Sequence, residues 1–242
     1  MDKRHLEELI SVESNYWWLI AKRSLVCKIL QRHFPSPAKL IEGGIGAGGN
    51  LSAFQDIGYE ITGFDVLPEA VTHCQKRGLK NVYVHDLQKP WPVESKSARV
   101  VMLLDVIEHA SDPIKILKNA AFTLDRKGGI IVTVPAYPSL MGPWDRMLGH
   151  YRRYTPKLLE EQARCSGLRV AWLSHWNAFS LPAAFAVRVG EQYLRYKRTA
   201  EFPPVSPRIN CFLIKCADLE RRLILKRSIP MGLSIIGILM HE

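Results

Sequence analysis

The sequence predicts a doubly wound α/β fold built on a parallel sheet. Three observations carry this expectation. Apolar, strand-like runs alternate with helix-like segments from Lys39 to Val134. A glycine-rich run, Gly43-Gly44-Ile45-Gly46-Ala47-Gly48-Gly49, follows the first of these strands. Acidic residues (Glu42, Asp65, Asp86 and Asp105) recur at the ends of successive strands. Alternation of this kind, with right-handed crossovers, belongs to an open parallel sheet covered by helices on both faces.

The elements follow in order. Two helices are expected over residues 3–33, because Leu6, Leu9 and Ile10, and then Trp18 through Leu30, repeat at helical spacing. Pro35 and Pro37 stop the second helix. Strands are expected at residues 39–42, 60–64, 81–85, 99–104 and 130–134, with helices at 50–56, 68–77 and 113–124 between them. The run 99–104 is continuously apolar, as a strand covered on both faces requires. Asp112 stands as an N-cap before Pro113, and Lys127-Gly128-Gly129 reads as the turn that ends that helix. Beyond Pro135 a loop is expected to residue 149, lying over the sheet edge. Thr155 then caps a helix at 156–164, and a strand follows at 168–173. Residues 177–227 interrupt the alternation with basic helical segments at 183–197 and 208–226, before an apolar strand at 232–240. The chain thus reads as one domain: an N-terminal helical cap (1–37), a cofactor-binding core (38–174), a basic helical insertion (177–227) and a terminal strand (231–242).

Bulk properties narrow the class. The 242 residues can bury a sizeable core, and 47% hydrophobic with 23% charged residues is ordinary for a globular protein. The longest strongly apolar run, residues 231–240, is too short to span a bilayer, and the N-terminus lacks a signal-peptide core. Five scattered cysteines with no C-x-x-C pair fit reduced thiols in a cytoplasmic protein, and no metal site is expected from their spacing. The net charge of +10 is segregated: residues 34–150 balance at twelve basic against twelve acidic residues, whereas 151–242 hold fifteen against seven. A field of that sign attracts an anionic substrate, an acidic carrier protein or an anionic membrane surface. The basic residues are not interleaved with a recognised RNA- or DNA-binding module, which argues against nucleic acid. Oligomeric state is not legible.

The glycines fit two cofactors. Gly44, Gly46 and Gly49 match the G-x-G-x-x-G spacing of a nicotinamide dinucleotide site, whereas Glu42, Gly44, Gly46 and Gly48 match E-x-G-x-G-x-G. The acids decide between them. Ligands bind beyond the carboxyl ends of the strands. Glu42, Asp86 and Asp105 there disfavour a pyrophosphate, because like charges repel in a partly dry cleft. Asp65, at the second strand, suits a ribose diol. A ligand with a ribose, an amino-purine, an ammonium, a sulfonium and no phosphate fits all four positions, and S-adenosylmethionine is such a ligand.

At these residues the sequence resembles the class I S-adenosylmethionine-dependent methyltransferases. The matching runs are Leu40 to Gly48, Gly63-Phe64-Asp65, His85-Asp86-Leu87, Leu104 to His109, and Leu124 to Gly129. The resemblance covers about residues 15–174 and resumes at the last strand. It implies a seven-stranded, mostly parallel, Rossmann-like sheet and S-adenosylmethionine as cofactor. It also implies that Glu42, Gly43, Gly44, Gly46 and Gly48 line the methionine moiety. Asp65, with Val66 beside it, would take the ribose. Asp86 and Leu87 would meet the adenine, and Asp105 and Val106 the methionine end. Gly43 departs from the pattern, where an apolar side chain is common, and suggests a more pliable strand end.

The acceptor side is read from the residues alone. His109 and His150 are the candidate general bases, after the fourth and fifth strands. Tyr151, Arg152 and Arg153 stand on a loop that should face the acceptor, where the arginines could clamp a carboxylate or phosphate. Trp17 and Trp18 could wall the site. These readings point to methylation of a small-molecule acceptor, with oxygen the expected atom of an acidic or apolar metabolite. The alternatives are a nicotinamide-dependent oxidoreductase, or methyl transfer to a lipid or carrier-bound substrate, docked through residues such as Phe185, Val187, Arg188, Val189, Tyr193 to Arg195, Lys197, Arg198 and 220–227.

Overall fold

Seven strands form one sheet in the order β3-β2-β1-β4-β5-β7-β6 in a computed structural model that describes residues 3–194 and 202–242. Nothing is said of the side chains of 188–189 and 191–194, so the docking residues Arg188, Val189 and Tyr193 to Arg198 lie outside the described side chains. The strands are β1 (Lys39–Gly43), β2 (Glu60–Asp65), β3 (Val82–Val84), β4 (Ala98–Leu104), β5 (Leu124–Pro135), β6 (Leu168–Trp176) and β7 (Ser234–His241). Strands β1 to β5 pair in parallel, and β7 inserts antiparallel between β5 and β6. The chain reverses direction across the sheet between β1 and β4, the switch point where ligands of such sheets bind.

Strand β4 shows why the sheet must be covered twice. Val101 and Leu103 face one core cluster, while Val100, Met102 and Leu104 face the other, and all are buried. The first cluster packs α5 (Pro113–Thr123) and α7 (Pro156–Arg164) through Ile116, Leu117, Leu159 and Ala163. The second packs α2 (Trp17–His33), α3 (Gly49–Asp56) and α4 (Pro68–Lys76) through Leu25, Val26, Ile29, Leu51, Phe54 and Val71. The predicted caps hold: Asp112 accepts from Lys115 N, and Thr155 from Leu158 N.

Two expectations need correction. Lys127-Gly128-Gly129 is not a turn between elements; it lies inside β5, where the pairing with β4 jumps from Ala98↔Leu124 to Val100↔Gly129. The extra residues form a bulge that Asp125 stabilises, accepting from Lys127 N at 2.8 Å and from Arg99 at 3.0 Å. Residues 136–149 are also not featureless. They hold a 3-10 turn (Pro138–Leu140) and a short helix α6 (Pro143–Met147).

That segment is held by a buried pair. Asp145, with no exposed surface, accepts from Arg153 Nε at 2.8 Å and Nη2 at 2.7 Å, and Arg153 Nη1 donates to Ala136 O at 3.0 Å. Burial alone would raise the Asp145 carboxyl, but the bonds from His150 and Arg153 hold it well below the usual carboxylate range. The pair ties α6 to the end of β5.

The remaining helices are α1 (Lys3–Val12), α8 (Leu181–Leu194) and α9 (Pro207–Ile224). Helix α9 lies along α2: Asn210 Oδ1 accepts from Trp17 N at 2.8 Å, and Arg221 donates to Ser24 Oγ at 2.8 Å. No described helix is long and apolar enough to cross a membrane.

Asp145→Ala leaves the buried Arg153 guanidinium unpaired and is expected to cost about 3–5 kcal/mol in urea unfolding, whereas the paired replacement Asp145→Leu with Arg153→Met recovers most of that loss.

Candidate active site

The carboxyl end of β1 turns through the glycine run into α3. Gly44 N and Ile45 N donate to Phe64 O at 2.7 and 3.2 Å, and Gly46 N donates to Asp65 Oδ2 at 3.0 Å. Gly44 has φ +76°, and a Cβ there would stand 2.6 Å from Val106 Cγ2, so both its conformation and its neighbour demand glycine. A Cβ on Gly43 would stand 2.9 Å from Leu87 Cδ1. Leu87 thus fills the space that the departure at Gly43 leaves open.

The four strand-end acids differ in environment. Asp65 is buried and also accepts from Leu67 N at 2.9 Å through Oδ1. Each of its oxygens retains acceptor capacity for a further hydroxyl. Val66, just beyond, is exposed. Glu42 is buried; Asn50 Nδ2 donates to its Oε1 at 3.4 Å, while Oε2 has no partner. Burial pushes its carboxyl up to about 8, against the opposing pull of Asn50, Lys22 and Arg23. Asp86 is half-buried and accepts from Gln88 N at 3.0 Å. Asp105 adopts the left-handed conformation (φ 57°), with its N–H on Thr133 O at 3.0 Å and its Oδ2 accepting from Lys22 Nζ at 2.7 Å. A non-glycine residue held there marks a position where the surrounding structure overrules local preference.

The N-terminus of α3 bears on the cofactor question. In dinucleotide sites the pyrophosphate sits on this helix end. Here Glu13, buried in the turn between α1 and α2, accepts from Gly49 N at 3.0 Å and pairs with Arg77, whose Nη1 also donates to Ala47 O at 2.7 Å. The protein's own carboxylate holds the position a pyrophosphate would need.

Beyond β4, the residues 107–109 form a single 3-10 turn. It brings His109 against His150, ring centroids 4.6 Å apart and edge to face. His150 Nδ1 lies 3.2 Å from Asp145 Oδ1, and Tyr151 N donates to Glu108 O at 2.8 Å, which fastens the two segments together. Burial, with His150 adding, holds the His109 ring down at about 4. Glu108 is fully buried with neither carboxylate oxygen partnered, and burial followed by the charge of Asp105 raises it well above the usual range.

The other sequence-predicted acceptor residues are placed apart. Arg153 spends its donors inward on Asp145 and Ala136. Arg152 is half-buried and donates to Ser111 O at 3.1 Å, with its guanidinium over the Tyr151 ring, itself exposed. Trp17 is buried against Phe179, and Trp18 stacks on Trp176 with Lys22 Nζ 4.4 Å from its ring centre. Glu13, Lys22, Arg77 and Glu108 were not singled out from sequence. Glu108 alone carried a signal, its place in the run after β4; the others are ordinary helix charges until the fold brings them together.

The protein-family model described as a methyltransferase domain matches residues 19–180. No curated protein is a significant match. Among solved structures, the chain is similar to one from the complex between the Haloferax volcanii Trm112 methyltransferase activator and its methyltransferase partner, with 17% identity, a TM-score of 0.64, and coverage of 100% of this chain and 98% of that one. A SAM-dependent methyltransferase from Archaeoglobus fulgidus gives 17% identity, a TM-score of 0.59, and coverage of 93% and 99%. The [4+2]-cyclase SpnF gives 16% identity, a TM-score of 0.62, and coverage of 98% and 92%. These likenesses show the fold. The family match and the carboxylate on α3 together set the nicotinamide alternative aside, and the chain belongs to the class I S-adenosylmethionine-dependent methyltransferases.

Proposed function

We propose that this chain transfers the methyl group of S-adenosylmethionine to a hydroxyl oxygen of a small acidic or apolar metabolite. The observation that carries the reading is the convergence of His109 and His150 just beyond Asp105 and Val106, at the carboxyl end of β4. Half-buried imidazoles there favour an acceptor whose oxygen must be oriented and relieved of a proton.

In this reading Glu42 and the loop from Gly44 to Gly48 receive the methionine end. Asp65 takes the ribose hydroxyls, Asp86 and Leu87 meet the adenine, and Val66 flanks the sugar. Asp105 sits near the sulfonium, its charge shared with Lys22. The transfer is an in-line displacement: an oxygen lone pair forms the new O–C bond while the C–S pair returns to sulfur, giving a neutral thioether. Holding the reactants at attack distance supplies most of the rate, up to about 7–11 kcal/mol in ideal cases. Residues 3–37, 177–194 and 202–227 act as a cap on this side, and of the two predicted arginines Arg152 is the one left to meet an anionic group. A second reading has one observation in its favour. Ile209, Phe212, Leu219 and Leu223 are exposed along one stripe of α9, and Phe185 and Val187 are exposed on α8, within the basic third of the chain. That surface suits an acceptor presented at an anionic membrane.

Three outcomes are expected. Incubation with methyl-labelled cofactor and a metabolite extract should place the label in a methoxy product by mass spectrometry; label appearing only on nitrogen, or only on macromolecules, overturns the reading. Asp65→Ala should weaken S-adenosylhomocysteine by about 5–150-fold in calorimetry, near 1–3 kcal/mol, through unpaired ribose hydroxyls and a loosened Gly46. The ammonium of S-adenosylhomocysteine favours ionised Glu42, so binding should expel the proton that the free site keeps below about 8. Affinity should therefore rise by about one log unit per pH unit towards that value and level off above it, and Glu42→Gln should abolish the slope.

A further inference from the structure

We propose that Glu108, His109 and His150 bind one first-row divalent metal ion, with open positions that take the acceptor hydroxyl. The ligating atoms of these three residues lie within 4.8 Å of one another. The site goes beyond the methyl-transfer reading, and its role towards the acceptor rests on that reading.

Three observations independent of one another support a built site. Glu108 is completely buried, and both its oxygens lack any hydrogen-bond partner. A carboxylate left in this way costs free energy that a bound cation removes. His109 Nδ1 is likewise buried, with no partner among the described residues. In the Nε2–H form of the ring that nitrogen keeps its lone pair for a ligand. His150 is oriented in the complementary sense. Its Nδ1 faces Asp145 Oδ1 at 3.2 Å, so its Nε2 carries the free lone pair. A carboxylate partner that fixes the imidazole, as Asp145 does for His150, is what metal-binding histidines characteristically have. Asp145 is itself fixed by Arg153, so the geometry of the site is anchored to the end of β5.

The donor set selects the ion. One carboxylate and two neutral imidazoles suit zinc, manganese or iron(II), whereas magnesium and calcium prefer oxygen throughout. Three protein ligands leave further positions open. A hydroxyl oxygen bound there loses its proton to solvent near neutral pH, because the cation stabilises the oxyanion. The oxyanion then forms the O–C bond as the C–S bond breaks, and sulfur keeps that electron pair. Two imidazoles that serve as ligands are not proton acceptors, so the cation rather than a histidine would relieve the hydroxyl of its proton.

The test uses the full chain stripped with EDTA and dialysed. Manganese is titrated by electron paramagnetic resonance and zinc by calorimetry; manganese has little affinity for the free thiols and separates the site from them. One saturable ion per chain is expected for the wild type, absent in Glu108→Gln and in His109→Ala, with thermal unfolding confirming that both variants are folded. Glu108→Gln is near-isosteric, so its loss of binding reports the carboxylate rather than the packing. No saturable manganese or zinc in the wild type, or equal binding by the folded variants, overturns the proposal. S-adenosylhomocysteine affinity measured in the same samples reports separately on methyl transfer: lost cofactor binding in the wild type would overturn that reading while the metal titration stands by itself.

Discussion

Buried negative charge at the carboxyl edge of the sheet is the constraint on which the rest of this structure depends. The topology sends every parallel strand to the same edge, and the sequence ends several of them in acids. Glu42, Asp65 and Glu108 are buried there, and Asp105 is largely so. Carboxylates out of water must be paired, protonated or matched by a ligand. Pairing and a shift towards protonation are both visible. Asp65 is satisfied by backbone amides, Asp105 by Lys22, Glu42 is pushed towards its protonated form, and Glu108 has no partner. The site is therefore organised to receive positive charge.

The same constraint explains the N-terminal helices. Lys22 reaches from α2 across the sheet edge to Asp105 and packs under Trp18. Glu13, from the turn before α2, caps α3 and binds Arg77 from α4. The two helices are thus held to the glycine loop by polar bonds, whereas the rest of α2 is held by aliphatic packing through Leu25, Val26 and Ile29.

Most of the fold was legible because it depends on local patterns: the apolar period of each strand, proline at helix starts, glycine where φ is positive. The acidic strand ends were legible because Glu42, Asp65, Asp86 and Asp105 recur at the spacing of one strand-helix unit. What failed had no local sign. Gly128-Gly129 looks like a turn, yet it serves a bulge inside β5, decided by pairing with β4. Arg153 looks like a surface arginine beside Arg152, and Asp145, eight residues earlier, turns it inward. His109 and His150 are separated by a strand, two helices and a loop, so only the tertiary fold brings their rings within 4.6 Å and gives Glu108 its neighbours.

Charge also accounts for the division of the chain. The core that holds the strand-end acids is electrically balanced, and the excess positive charge lies in the last third. A cation at the strand ends would meet the acids at short range, where low dielectric makes each charge count, while the outer positive field would steer an anion over about a Debye length. Methyl transfer destroys one of these charges. The sulfonium becomes a neutral thioether, so a carboxylate facing it would lose part of its counter-charge on turnover, while one facing the ammonium would keep its own.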